Sequence, residues 1–223
     1  AKRHTSWVNT DSAYEGAAQG LVDTLLQPGS AFLSGMRPFA RRLAEAGMRN
    51  GLARTVLKLT VPGVPDTYQG TAFWDLSLVD PDNRRPVDYA GAAAALEAGG
   101  SPTELIALWP DGRVKQSVTA ALLADRAACP TLYAEGDYQP LPASGAAAPH
   151  VLAFARMAGG EELVAAVTRL GAAGPDWAGT RLALPAGVWR NLLDDRPVEA
   201  DQTGVAAEEL FARLPVAVLR RSA

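Results

Sequence analysis

Apolar positions recur at helical spacing through the first half of the chain. From Asn9 onward Tyr14, Ala18, Leu21, Val22 and Leu25 share one face, Asn9 or Thr10 stands at the cap, and Asp11 and Glu15 place acids near the first turn. Gln27-Pro28-Gly29 ends that helix. A second helix over 31–46 carries Phe32, Met36, Phe39 and Leu43, with Gly47 as its C-terminal cap and Pro38 imposing a kink or a later start. A third, over 50–59, carries Leu52, Val56 and Leu59. Val61-Pro62-Gly63-Val64-Pro65 cannot be helix interior, so the pattern predicts a short buried strand through Tyr68, a turn at Gly70 and then a loop. Helical text returns over 86–98 behind Asp88, over 103–109 behind Ser101-Pro102-Thr103-Glu104, and over 112–127.

After Cys129-Pro130 the period changes. Short apolar runs at 132–134, 138–141, 151–156, 163–168, 181–184, 188–192 and 214–219 are separated by Gly, Pro, Asp and Asn, as in an antiparallel sandwich. The pattern predicts an α+β protein with a helical part over 1–128, an all-β part over 129–223, and separate cores meeting at Cys129-Pro130.

Composition narrows the function. The chain has 223 residues, 48% of them hydrophobic, enough for one large domain or two small ones. Lys+Arg 21 against Asp+Glu 24 leaves a net charge of −3, so no basic excess exists to neutralise a phosphate backbone, and no nucleic-acid partner is expected. Apolar runs such as 90–96 fall well short of the ~20 residues that span a bilayer, so no membrane partner is expected either. Cys129 alone excludes an internal disulfide and a cysteine metal cage; His4 and His150 are too few for a histidine site, so neither metal nor other cofactor is predicted. The opening residues lack both a Met and the apolar stretch of a secretory signal, which reads as a cytoplasmic fragment of a longer protein.

The densest chemistry lies in 62–86, PGVPDTYQGTAFWDLSLVDPDNRRP. Aromatic faces, carboxylates and arginines are what hold a sugar, the ring stacking while hydroxyls bond to charged groups. The same text also suits a structural loop in which Asp80 and Asp82 make Asx-turns and Arg84 a surface ion pair. His4, Ser6 and Asp11 crowd into one helix approach with no strained nucleophile turn, which argues against a hydrolase triad.

Residues 62–89 closely resemble the end of the catalytic barrel in the maltooligosyltrehalose synthases, the trehalose-forming branch of the α-amylase superfamily. Lys2 to Trp7, Leu57-Lys58-Leu59-Thr60, Gly136-Asp137-Tyr138-Gln139-Pro140-Leu141 and Ala153-Phe154-Ala155-Arg156 resemble the same family in the same order. The resemblance implies that 1–128 holds the helices and last strand of a (β/α)8 barrel with a helical insertion, and 129–223 the C-terminal β-sandwich. It implies an isomerase acting on maltooligosaccharides, moving the reducing-end α-1,4 linkage to α,α-1,1 by intramolecular transglycosylation. The family's catalytic carboxylates lie upstream of the last strand, so it implies no catalytic residue here. The missing N-terminal part would be the partner, and the fragment alone would be inactive. By resemblance Asp80 and Arg84 bind a donor-side glucose, and Tyr68, Gln69 and Trp74 join them in substrate binding. Ala72 departs from the family's usual glutamate, which removes a charge from the loop. The rival is a non-catalytic carbohydrate-binding β-sandwich with Trp177 and Trp189 as stacking platforms.

Overall fold

A computed structural model describes residues 3–77, 85–171 and 174–221. The chain divides into two compact units, Ala1–Ala46 and Gly47–Ala223. In the first, helix α1 (Ser12–Leu25) is capped by Asp11, not by Asn9 or Thr10: its carboxylate accepts from the amides of Ala13 and Tyr14, each at 3.0 Å. A carboxylate there also meets the positive end of the helix, which favours Asp11 over the neutral candidates. No residue of α1 is buried.

Helix α2 (Ala31–Thr60) corrects the expectation of two helices broken at Gly47. A glycine cap needs the left-handed conformation, and Gly47 is not among the positive-φ residues. The helix continues because Met48, Leu52, Val56 and Leu59 beyond it are buried on one face, and tertiary packing outweighs the cost of one internal glycine. Pro38 also lies within α2.

In the second unit α3 (Tyr89–Glu97) starts at Asp88, and α4 (Pro102–Leu105) at the reciprocal capping box of Ser101 and Glu104. A 3₁₀ turn (Ile106–Asp111) leads through Gly112 into α5 (Arg113–Ala128), whose buried stripe is Val114, Val118 and Leu122. Then comes α6 (Pro130–Glu135), where residues 132–134 were expected as strand. A short apolar run fits a buried helical turn equally well, and Pro130 at its start, with φ already helical, decides the matter.

Among the described residues nine strands follow: β1 (Asp137–Pro140), β2 (Ala143–Ser144), β3 (Val151–Ala158), β4 (Glu161–Thr168), β5 (Arg181–Leu182), β6 (Gly187–Asn191), β7 (Pro197–Ala200), β8 (Val205–Ala206) and β9 (Val216–Arg221). Helix α7 (Ala207–Leu210) interrupts them. All pairings are antiparallel, in a six-stranded sheet of order β1-β3-β4-β9-β6-β7 and a three-stranded sheet β2-β5-β8. Gly159 and Gly160, with φ of 58° and 85°, make the two-residue turn between β3 and β4 that matches strand twist.

Both faces of the large sheet are covered. Phe154, Leu163, Ala165, Val167, Val216 and Val218 share a core with Leu52, Val56, Leu59, Val118 and Leu122 of the helices. The alternate positions Ala153, Ala155, Val164, Ala166, Ala217 and Leu219 share a second core with Leu182, Val205 and Leu210. The expected division between 128 and 129 is therefore not a boundary between cores: helices with one apolar face must bury it, and the sheet supplies the surface.

The buried strand expected to end at Tyr68 is not formed. Among the described residues before Asp137 there is no strand, and the run at 64–68 is unpaired and largely exposed, with Val64 at 97%. Extended chain becomes strand only when a neighbour accepts and donates its hydrogen bonds.

Candidate functional site

The loop that follows α2 starts from a helix end held by two arginines. The last carbonyls of a helix lack intrahelical donors and carry partial negative charge. Arg126 Nη1 donates to Leu59 O at 2.8 Å, and Arg156 Nη1 to Thr60 O at 2.9 Å. Arg156, 1% exposed, spends its other N–H groups on the carbonyls of Leu132, Tyr133, Gly136 and Asp137 at 2.9 to 3.3 Å, fastening α6 and the start of β1 to the same point. Burial lowers its pKa, and the neighbouring Arg126 charge lowers it further; a guanidinium stays cationic regardless. Arg126 lies 4.6 Å over the Tyr133 ring, whose hydroxyl donates to Asp125 Oδ2 at 2.7 Å. Burial, then that bond to a carboxylate, pushes the Tyr133 phenol up. A cavity of about 290 Å³ lined by Gly63, Val64, Arg126, Pro130, Tyr133 and Ala134 opens beside this cluster.

Further along, Lys58 Nζ donates to Thr67 Oγ1 at 3.1 Å, and Thr71 Oγ1 to Tyr68 O at 2.7 Å, so Tyr68 sits in a fixed turn with its side chain half exposed. Gly70 makes that turn possible: its φ is +77°, and a Cβ there would press on Val87 at 3.0 Å. Exposed Gln69 accepts from the Tyr89 hydroxyl at 3.4 Å.

The far end of the loop is locked onto α2 and α5. Trp74 Nε1 donates to Trp109 O at 2.5 Å, and a Cβ on Gly51 would come within 2.9 Å of the Trp74 ring. Lys115 Nζ donates to Thr71 O at 2.8 Å and Phe73 O at 2.7 Å, and lies 6.0 Å from the centre of the Trp74 ring. Burial lowers the Lys115 pKa, as do the charges of Lys58 and Arg54, while Asp75 opposes them. Asp75 is held below the usual carboxylate range first by the Ser77 hydroxyl, then by the Ser77 amide and by Lys115.

Of the residues singled out in the sequence, Asp80 and Arg84 lie outside the described residues. Tyr68 and Gln69 stand side by side and exposed on the loop. Trp74 is half-buried, packed against the helical core, with its indole N–H already committed. Ala72 lies between the two residues whose carbonyls Lys115 grips. Asp11 is spent on its cap and His4 stacks on Tyr14 at 4.9 Å, so neither is set up for a triad. Sequence reasoning missed Lys115 and Arg126, and took Arg156 only as part of a resemblance. The one local signal was an arginine in the otherwise apolar run of β3. The rival's stacking platforms fail in part: Trp189 is fully buried with Nε1 bonded to Pro185 O, and Trp177 packs against Phe211 at 5.2 Å.

No family model matches the chain. It is 41% identical over 221 residues to a protein of Mycobacterium tuberculosis (strain H37Rv) described as a maltooligosyl trehalose synthase, a match covering 98% of this chain and 26% of that protein. It superposes on the maltooligosyltrehalose synthase structure from Arthrobacter ramosus with a TM-score of 0.82 at 35% identity, over 100% of this chain and 28% of that one. A further maltooligosyl trehalose synthase structure gives a TM-score of 0.76 at 25% identity, again with all of this chain and 28% of the other. The chain thus spans about a quarter of the length of the curated relatives it matches. It is a homologue of the maltooligosyltrehalose synthases along its whole length, and of little more than a quarter of theirs.

Proposed function

We propose that this chain is the C-terminal part of a cytoplasmic maltooligosyltrehalose synthase, and that it supplies the loop holding a donor-side glucose together with the layers that support it. On this reading residues 1–128 complete a (β/α)8 barrel, with the run before Tyr68 pairing to strands of the N-terminal part, and residues 129–223 carry the C-terminal β-sandwich. The half-exposed apolar side chains of Phe32, Met36, Phe39 and Leu43 suit packing against that part.

The complete enzyme would convert the reducing-end α-1,4 linkage of a maltooligosaccharide to α,α-1,1 by intramolecular transglycosylation. Retaining chemistry uses a carboxylate nucleophile and a second carboxylic acid about 5–5.5 Å apart, which protonates the leaving oxygen and then deprotonates the acceptor. Both carboxyls come from the N-terminal part. The residues of this chain bind and orient: Asp80 and Arg84 hold sugar hydroxyls, Tyr68 and Gln69 form the pocket wall, and the loop keeps water from the glycosyl-enzyme. Trp74 serves the site as the seat of the loop on Gly51 and Trp109.

The observation that carries this reading is the end-to-end identity of 41% with a maltooligosyl trehalose synthase, spanning the whole loop. Arg84→Ala in the complete enzyme tests it. With a sugar-binding guanidinium removed, kcat/KM on maltopentaose should fall about 30- to 1000-fold, corresponding to about 2–4 kcal/mol. An unchanged kcat/KM would exclude the sugar-binding role.

A further inference from the structure

We propose that Lys115 is the positioning residue of this loop: by gripping two of its carbonyls from α5 it fixes where Tyr68 and Gln69 stand before a sugar arrives. The inference rests on the sugar-binding reading of the loop and extends it to a residue outside it.

Lys115 follows Val114, the first position of the buried stripe of α5, and so lies at the edge of that stripe, where the helix meets the loop. Its ammonium has three donors, and two are used at 2.7 and 2.8 Å on Phe73 O and Thr71 O. Both acceptors are backbone groups, so the grip acts on the path of the chain and is indifferent to the side chain between them, Ala72. From Thr71 the constraint passes directly to Tyr68, because the Thr71 hydroxyl donates to Tyr68 O at 2.7 Å. Two hydrogen bonds therefore connect Lys115 to the backbone of Tyr68.

The surroundings argue against an incidental contact. Lys115 is partly buried beside the like charges of Lys58 and Arg54, with Asp75 the counter-charge that faces it, a setting costly for an ammonium unless its donors are well used. Gly112 strengthens the same junction from one turn earlier. Its φ is +82°, and a Cβ there would meet Phe73 Cβ at 2.8 Å and Trp74 N at 3.0 Å, so α5 begins in direct contact with the gripped segment.

The test uses the complete enzyme acting on maltopentaose. Lys115→Met keeps the apolar stem and removes every donor. It should raise KM about tenfold while kcat stays within about twofold, because positioning acts on substrate capture and the reacting carboxyls are untouched. Lys115→Arg, whose fork can reach two carbonyls, should restore most of the lost affinity, which a merely structural cation would not predict when the melting temperature is unchanged. Tyr68→Ala, run in parallel, separates the two levels of the claim. A normal KM in Tyr68→Ala means the loop does not bind sugar and the underlying reading falls. A raised KM there with a normal KM in Lys115→Met overturns the positioning role alone. Should Lys115→Met fail to fold, Thr71→Val cuts the relay at an accessible loop position: a raised KM supports the role of Lys115, and an unchanged KM overturns it.

Discussion

The two halves of α2 carry nearly the same apolar spacing and meet opposite fates. Phe32, Met36, Phe39 and Leu43 are 44 to 54% exposed, whereas Met48, Leu52, Val56 and Leu59 are 0 to 6% exposed. Spacing at three and four residues says which side of a helix is apolar; it does not say whether anything lies against it. In the second half the cover comes from α5 and the helix-facing side chains of β3, β4 and β9, all distant in sequence. The energetic weight of a residue here is therefore set by its neighbours and not by its place in the pattern.

The largest effect that would test this contrast comes from truncating matched positions. Leu52→Ala should lower the unfolding free energy by about 3–5 kcal/mol, the transfer and cavity cost of a buried leucine, while Phe39→Ala should change it by no more than about 0.5 kcal/mol. Urea unfolding of both variants checks this, and similar losses would break the comparison. A second effect concerns what the covered half needs at its end. Arg156→Leu fills similar space but removes a donor from the carbonyls of Thr60, Leu132, Tyr133, Gly136 and Asp137, and should cost about 2–4 kcal/mol. A neutral result would mean that water or repacking satisfies those carbonyls.

The smallest effect belongs to an exposed charge. Since the folded pKa of Asp75 is depressed, its contribution is fully present above the ordinary carboxylate value of 3.8 and is lost as pH falls through the lowered folded value. Asp75→Asn should remove that part of the acid limb and cost only about 0.2–0.5 kcal/mol at neutral pH, given its exposure. Thermal melts between pH 2 and pH 7 (about one point per half unit) would show it as a narrower gap between variant and wild type at the acid end.

What could be read from the sequence follows the range of the interaction responsible. Asp88 as a cap, the capping box at Ser101 and Glu104, and strands β3, β4 and β9 all rest on patterns a few residues long, and all were legible. Gly47 misled because a glycine that suits a cap also tolerates the helix interior, and only burial of Met48 and Leu52 decides between them. Residues 132–134 misled because three apolar residues have no period of their own. At the candidate site, Tyr68, Gln69 and Trp74 stand out in the sequence by residue type alone. The groups that fix their loop do not. Lys115 reaches carbonyls 42 and 44 positions away and Arg156 one 96 positions away, and a side chain bonded to distant backbone leaves no mark on the residue types at its acceptors.

Burial of both faces of β4 has a consequence for how the strands find their partners. Where one face is wet, a slip of one residue exposes apolar groups and corrects itself; here a slipped β4 would still be apolar on both sides. Discrimination has to come from elsewhere. Part of it is bulk, since Phe154 and Leu163 face the helices while Ala153, Ala155 and Ala166 face the small sheet. A further part is charge: Arg156 shares the side of Phe154, and a shift of β3 by one place would carry its guanidinium away from five carbonyls into the apolar second core. A mispaired sheet in this protein would be rejected by an unsolvated charge before it could be rejected by any exposed apolar surface.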